Sequence, residues 1–234
     1  NSYRMSDFNQ PLRTHSDRPG VTRSFNPEEH ERPTILSLTQ DIPNIVTLLG
    51  LSSGVLGIYF AVVGNFSAAI IAMLWAVLFD WFDGSIARRI PGRSDISNLI
   101  GAKMDSLVDI VSLAVCPAII LLSYGDFSLW FFPGTLVIVM AGVIRLAYFD
   151  IFGVDKDGTI AGLSLDITPL IVALVFLLQG VLDRSVFTVL LYATIVILAF
   201  LHVAPFRMHK MVGRWYYGIV AYVLLMTTVY VFIL

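Results

Sequence analysis

Long apolar runs separated by short polar breaks fill most of the chain, at residues 43–63, 67–89, 97–123, 127–151, 165–182, 184–203 and 212–234. Roughly 20 apolar residues in a helix cross about 30 Å of hydrocarbon, so this pattern predicts about seven transmembrane helices. The breaks "VGNFS", "IPGRSD", "SYGDFS", "GVDKDGTIAG", "LDRS" and "VAPFRMHK" place Gly, Pro, Asp, Asn or Ser where each helical pattern stops. Only the first 40 or so residues are polar throughout. The expected organisation is therefore a polar tail at 1–40 and one membrane domain at 41–234, in an all-α, polytopic membrane helical bundle. Within the tail, "NPEEHERPTILSLTQDIP" reads either as a short amphipathic surface helix or as a flexible segment.

Composition agrees with this pattern and excludes a soluble domain: 57% of residues are hydrophobic, 14% are charged and the mean hydropathy is +0.80. The start of the chain reads as lacking a cleavable signal peptide. Cys116 stands alone, which rules out an internal disulfide and a cysteine-based metal site. The expected partner surface is the lipid bilayer, not nucleic acid.

Charge placement sets the expected orientation. With the N-terminal tail in the cytoplasm, 14 of the 15 Lys and Arg residues fall inside and only Arg184 falls outside. Dropping one helix from the count would scramble that asymmetry. The C-terminus is then outside, and a bacterial inner membrane is the expected location.

Four carboxylates interrupt the apolar pattern of the second and third runs. Asp80 and Asp83 are three apart, and Asp105 and Asp109 four apart, so each pair projects from one helical face. Asp80 lies about 13 Å and Asp105 about 12 Å from the cytosolic surface at 1.5 Å per residue. Antiparallel neighbours would bring both pairs to the same depth. An ionised side chain there costs at least ~2.5–3.5 kcal/mol, so something cationic must offset the group. One answer is ion pairing with Arg88 or Lys103. A second is a hard divalent cation held by oxygen ligands. Gly84, Ala87 and Gly101 leave the backbone open to close approach, and Arg88 offers a donor fork suited to phosphate, which together suggest a diphosphate substrate. An ion-coupled transporter is the competing class. It would place its acids near the midplane of a repeated architecture, and no repeat is visible here.

These residues resemble the CDP-alcohol phosphatidyltransferase family. Its signature is matched at Asp80, Asp83-Gly84, Ala87-Arg88, Gly101, Asp105 and Asp109; twelve residues separate Arg88 from Gly101 where the family usually has eight. The resemblance implies a six-helix core, here followed by a C-terminal helix, usually in a homodimer. It implies two divalent cations, Mg²⁺ or Mn²⁺, bound by Asp80, Asp83, Asp105 and Asp109. It also implies transfer of a phosphatidyl group from CDP-diacylglycerol to a small alcohol, with Asp109 taking the proton from the attacking hydroxyl. Asp83, Gly84, Ala87, Arg88 and Gly101 would line the CDP site.

A second resemblance, to the phosphatidylserine synthase branch, rests on "PNIVTLLGLSSGVLGIYFAV", "LFDWFDGSIAR", "GAKMDSLVDIVSLAVCPAIIL" and "IRLAYFD". It makes L-serine the expected acceptor. Asn44 and Thr47, at the cytosolic end of the first helix, are expected near the substrate phosphates, or serve as a helix-start pair. Arg145, with Lys103 and Tyr148, is expected at the acceptor site; Arg145 pairing with Asp150 or reaching lipid phosphates is the alternative. The twelve-residue spacer and "FLHVAPFR" resemble bacterial phosphatidylcholine synthases, and with two departures from the serine branch they make choline the second choice of acceptor, ahead of inositol or glycerol phosphate. Tyr148 and Asp150 stand where the branch usually has Arg and Asn, and "GLSLDITP" replaces a "GLPIP"-like turn and adds Asp166. A quaternary ammonium binds on aromatic faces.

Overall fold

The computed structural model describes residues 34–211, 213 and 215–232. Residues 1–33 of the tail, with much of the candidate surface helix, lie outside the described residues; residues Ile35–Gln40 form a short 3₁₀ turn that leads into the bundle. Helices account for nearly all of the rest: α1 (Ile42–Val62), α2 (Phe66–Ala87), α3 (Asp95–Asp109), α4 (Cys116–Tyr124), α5 (Phe132–Phe152), α6 (Ile167–Phe176), α7 (Arg184–Val203) and α8 (Trp215–Phe232). Among the described residues six stretches are long and apolar enough to cross a membrane, as expected of a polytopic all-α bundle: α1, α2, Asp95–Tyr124 taken as one rod, α5, α7 and α8.

Local chemistry explains where these helices begin. Pro43 and Pro133 occupy first turns, where no backbone N–H is needed. Asn65 caps α2 by accepting from the Ala68 N–H, and Ser94 caps α3 by accepting from the Ser97 N–H. On the bundle's inner face, Gly54 of α1 lets Ser112 approach so closely that an added Cβ would stand 2.3 Å from its Oγ.

The third apolar run forms one rod, but not a uniform α-helix. A π-helical segment, Ile110–Val115, joins α3 to α4, and the Cys116 N–H reaches back five residues to the Val111 carbonyl. Pro117 explains the widening, since its ring crowds the carbonyl four residues before it and supplies no N–H. The turn begins directly after Asp109.

The fifth run, 165–182, differs more. Instead of a full transmembrane helix it forms α6 and a 3₁₀ turn, Leu177–Gly180. At 1.5 and 2.0 Å per residue these rise about 15 and about 8 Å, short of a bilayer core. The residues before α6, 162–166, are irregular backbone that ends in a turn at Leu165 and Asp166. Such backbone is stable at membrane depth only when its polar groups find partners within the protein, and here they do. Gly162 N–H donates to the Phe206 carbonyl and Leu163 N–H to that of Leu201, while the Leu163 carbonyl accepts from Arg145 Nε at 3.0 Å and from His202 Nδ1 at 3.1 Å. Gly162 adopts a positive φ of 66° with His202 O where a Cβ would be, so only glycine fits this crossing. The alternation of ends survives: Arg184, at the start of α7, pairs with Asp126 beyond α4, whereas Asp166 lies beside the acids of α2.

A two-stranded antiparallel ribbon closes the acid-bearing end. Its strands, β1 (Thr159–Ala161) and β2 (Arg207–His209), pair Ile160 with Met208.

Candidate active site

Helices α2 and α3 run antiparallel through a short turn, and their acids meet. One carboxylate oxygen from each of Asp80, Asp105 and Asp109 lies within 4.8 Å of the others. Two full charges at that separation repel by roughly 3–4 kcal/mol at an effective dielectric of about 20. No salt bridge relieves them. Among the described residues the salt bridges are Arg93–Asp41, Lys103–Asp150, Arg184–Asp126 and Arg207–Asp155, and none reaches the four acids. The ion-pair alternative is thereby removed for Lys103, whose Nζ sits 2.6 Å from Asp150, and for Arg88, whose guanidinium lies over Gly84. Three convergent carboxylate oxygens without a direct ion-pair partner fit a hard divalent cation.

Asp83 stands slightly apart. It is 5% exposed, and Thr47 Oγ1 lies 2.5 Å from its Oδ2 and 3.0 Å from the Pro43 carbonyl. A hydroxyl has one hydrogen, and the shorter contact to a carboxylate takes it. Thr47 therefore orients Asp83.

Two connected hollows adjoin the acids. The smaller, about 230 Å³, is lined by Asn44, Thr47, Asp83, Gly84, Ala87, Arg88 and Gly101, so the structure brings all seven residues of the expected CDP site around one space. Arg93 also lines it, and the sequence reading missed this residue. Its guanidinium binds Asp41 Oδ2 at 2.6 and 3.0 Å, Asn98 Oδ1 at 3.2 Å and Asn44 Oδ1 at 3.1 Å. An added Cβ on Gly101 would stand 2.7 Å from Arg93 Nη2, so the glycine leaves room for the arginine. Asn44 also donates to the Leu38 carbonyl and is thus engaged at both ends. The signal for Arg93 was the longer spacer between Arg88 and Gly101, which carries it.

The larger hollow, about 840 Å³, takes in the four acids, Arg88, Arg145, Asp166, Lys210 and the rings of Trp81, Phe149, Tyr216 and Tyr217. Arg145 is 6% exposed, so it does not reach for lipid phosphates; Asp150 binds Lys103 and Ser106 and not Arg145. Lys103 and Tyr148 do not line the hollow. Lys103 is held by Asp150 at its edge, and Tyr148 is half exposed with its ring 4.5 Å from that of Phe152. Two further lining groups come from parts of the chain without any motif. Lys210 places Nζ 5.0 Å from the Phe149 ring centre, and desolvation, then the positive charge of Arg88, hold its ammonium below the ordinary lysine range against the pull of Asp166, Asp80 and Asp105. Asp166 accepts from Trp81 Nε1 at 3.1 Å through Oδ2.

Comparison with known proteins agrees with this geometry. The profile of the CDP-alcohol phosphatidyltransferase family matches residues 40–230. An archaetidylserine synthase of Methanothermobacter thermautotrophicus is 41% identical over 111 residues, 47% of this chain and 47% of the relative. A CDP-diacylglycerol--serine O-phosphatidyltransferase of Mycobacterium tuberculosis is 32% identical over 122 residues, 51% of this chain and 40% of the relative. One of the same name from Bacillus subtilis is 29% identical over 112 residues, 47% of this chain and 61% of the relative. The chain thus spans about half the length of the curated relatives it matches. With the family profile matched along nearly the whole membrane domain and the signature acids converging at one depth, the chain belongs to the CDP-alcohol phosphatidyltransferase family.

Proposed function

We propose that this protein transfers a phosphatidyl group from CDP-diacylglycerol to the hydroxyl of L-serine, releasing CMP. The observation that carries the reading is the junction of the acid cluster with two hollows, one lined by the residues of the expected CDP site and one larger, both sharing Asp83, Gly84, Arg88 and Asp105. The names of the relatives support serine over other acceptors.

Two divalent cations, Mg²⁺ or Mn²⁺, held by Asp80, Asp83, Asp105 and Asp109, would supply the positive charge that the diphosphate and the departing CMP require. The protein's own groups do the rest. Gly84, Ala87 and Gly101 leave room for the nucleotide, with Asn44 and Thr47 fixing the wall behind it, and Arg88 donates to the diphosphate. Arg145 binds the acceptor carboxylate, and Lys103 acts only by holding Asp150 at the edge of the hollow. Asp109 accepts the hydroxyl proton as the acceptor oxygen bonds to the phosphatidyl phosphorus and the bond to CMP breaks. The membrane domain, 41–234, works as a homodimer with its N-terminus and site facing the cytoplasm of a bacterial cell and its C-terminus outside. The balance of Lys and Arg between the two ends supports that orientation.

Choline is the second reading. Four aromatic rings, those of Trp81, Phe149, Tyr216 and Tyr217, line the larger hollow and suit a quaternary ammonium. The test is CMP release by purified protein given CDP-diacylglycerol and Mn²⁺ or Mg²⁺, with serine, choline, inositol and glycerol 3-phosphate offered separately. Release with serine alone supports the first reading; release with choline alone replaces it with the second.

A further inference from the structure

Asp166 is an acid that the signature does not contain, and the structure buries it at the site. It is 9% exposed and lines the larger hollow. Its Oδ2 is fixed by Trp81 Nε1, but its Oδ1 is buried with no hydrogen-bond partner. A buried acceptor left unsatisfied is costly, so a donor is missing from this place.

The protein's own cations are held off. Arg145 commits Nε to the Leu163 carbonyl and rests its guanidinium 5.0 Å from the Phe149 ring centre, and Lys210 sits against the same ring. Asp166 also lies outside the trio of oxygens that converge within 4.8 Å. It is therefore placed beside the acid cluster without completing it. Arg145 and Asp166 are positioned by one piece of backbone, since the Leu163 carbonyl that anchors Arg145 is three residues before Asp166 on the same irregular segment.

We propose that Asp166 binds the α-ammonium group of the acceptor and that, with Arg145 taking the carboxylate, the hollow recognises an amino-acid zwitterion; this rests on the serine reading above. A primary ammonium carries three N–H donors and can satisfy Oδ1, whereas a quaternary ammonium carries none. The unpartnered oxygen thus discriminates between the two acceptors that the aromatic rings alone would not separate. Bound through both charged ends, the acceptor has only its hydroxyl left to face Asp109.

The test is steady-state CMP release, with ethanolamine (no carboxylate) and 3-hydroxypropionate (no ammonium) as competitors of serine. In Asp166→Asn the KM for serine should rise about 10- to 100-fold, the loss of one hydrogen bond to a charged group. The KM for CDP-diacylglycerol should stay within about twofold on the same scale. Inhibition by ethanolamine should vanish in that variant while inhibition by 3-hydroxypropionate persists, and Arg145→Gln should show the reverse. In the wild-type protein, which needs no variant to fold, ethanolamine should compete better than choline. Equal competition by those two, or equal loss of both inhibitors in Asp166→Asn, overturns the assignment. A wild-type protein that uses choline and no serine overturns the serine reading itself, and this subsite with it.

Discussion

Thr47 Oγ1 and Asp83 Oδ2 lie 2.5 Å apart, joining α1 to the acid face of α2 across 36 residues of sequence. A partner that fixes a ligating carboxylate commonly changes metal affinity about 10- to 100-fold when it is removed. Thr47→Val should therefore raise the Mn²⁺ concentration needed for half-maximal CMP release by about tenfold. Thr47→Ser, which keeps the hydroxyl, should restore it.

Asp109→Asn keeps the shape of the site and removes the proton acceptor. CMP release should fall at least about 100-fold, the usual scale of general-base contributions. Binding of CDP-diacylglycerol, followed by equilibrium titration, should be largely retained. Unchanged turnover would remove Asp109 from the role of base.

Chelation with EDTA should stop CMP release, and Mg²⁺ or Mn²⁺ should restore it. It should also lower the Tm, because Asp80, Asp105 and Asp109 are then left to repel one another within 4.8 Å. A Tm indifferent to divalent ions would show that the trio does not hold them.

The depressed ammonium of Lys210 gives a pH signature. Its charge is present below its folded-state pKa and is lost as pH rises through that value, earlier than for a free lysine. Between the folded and unfolded values the unfolded chain binds more protons, so this group makes stability rise with pH across that interval. Its effect on substrate runs the other way: the KM for the anionic CDP-diacylglycerol should climb as the charge disappears. Lys210→Arg should move that limb to higher pH, and Lys210→Met should abolish it.

Gly54→Ala tests the packing beneath the site. The new methyl would stand 2.3 Å from Ser112 Oγ and 3.0 Å from its Cα, so backbone must move. Thermal unfolding in detergent should report a loss of about 1–3 kcal/mol.

The acid cluster was legible because its information is local: spacings of three and four residues on two adjoining helices dictate faces and depth without further knowledge. Most of the bundle was legible for the same reason, since hydropathy reports length. The fifth crossing was not. A window of 18 largely apolar residues cannot distinguish a spanning helix from a shorter helix entered through irregular backbone that finds its hydrogen bonds on a neighbour, and those partners, Leu201 and Phe206, lie some 40 residues away in sequence. The π turn needed Pro117 to be read as an interruption inside a helix, and the three-residue strands are too short to leave a pattern. Arg93, Asp166 and Lys210 reach the site from loops, where position depends on tertiary contacts that spacing does not encode.

The backbone of the irregular segment at 162–166 is tied mainly to the last turn of α7 and to the residues just after it, and its Asp166 side chain reaches Trp81 of α2. On the proposed function, α1 to α3 would handle the nucleotide, while Arg145 and the residues Ser164, Leu165 and Asp166 would wall the space for the incoming alcohol. A different alcohol could then be accommodated by changing Arg145 and remodelling 159–166 and 201–210, with the phosphorus chemistry left as it stands.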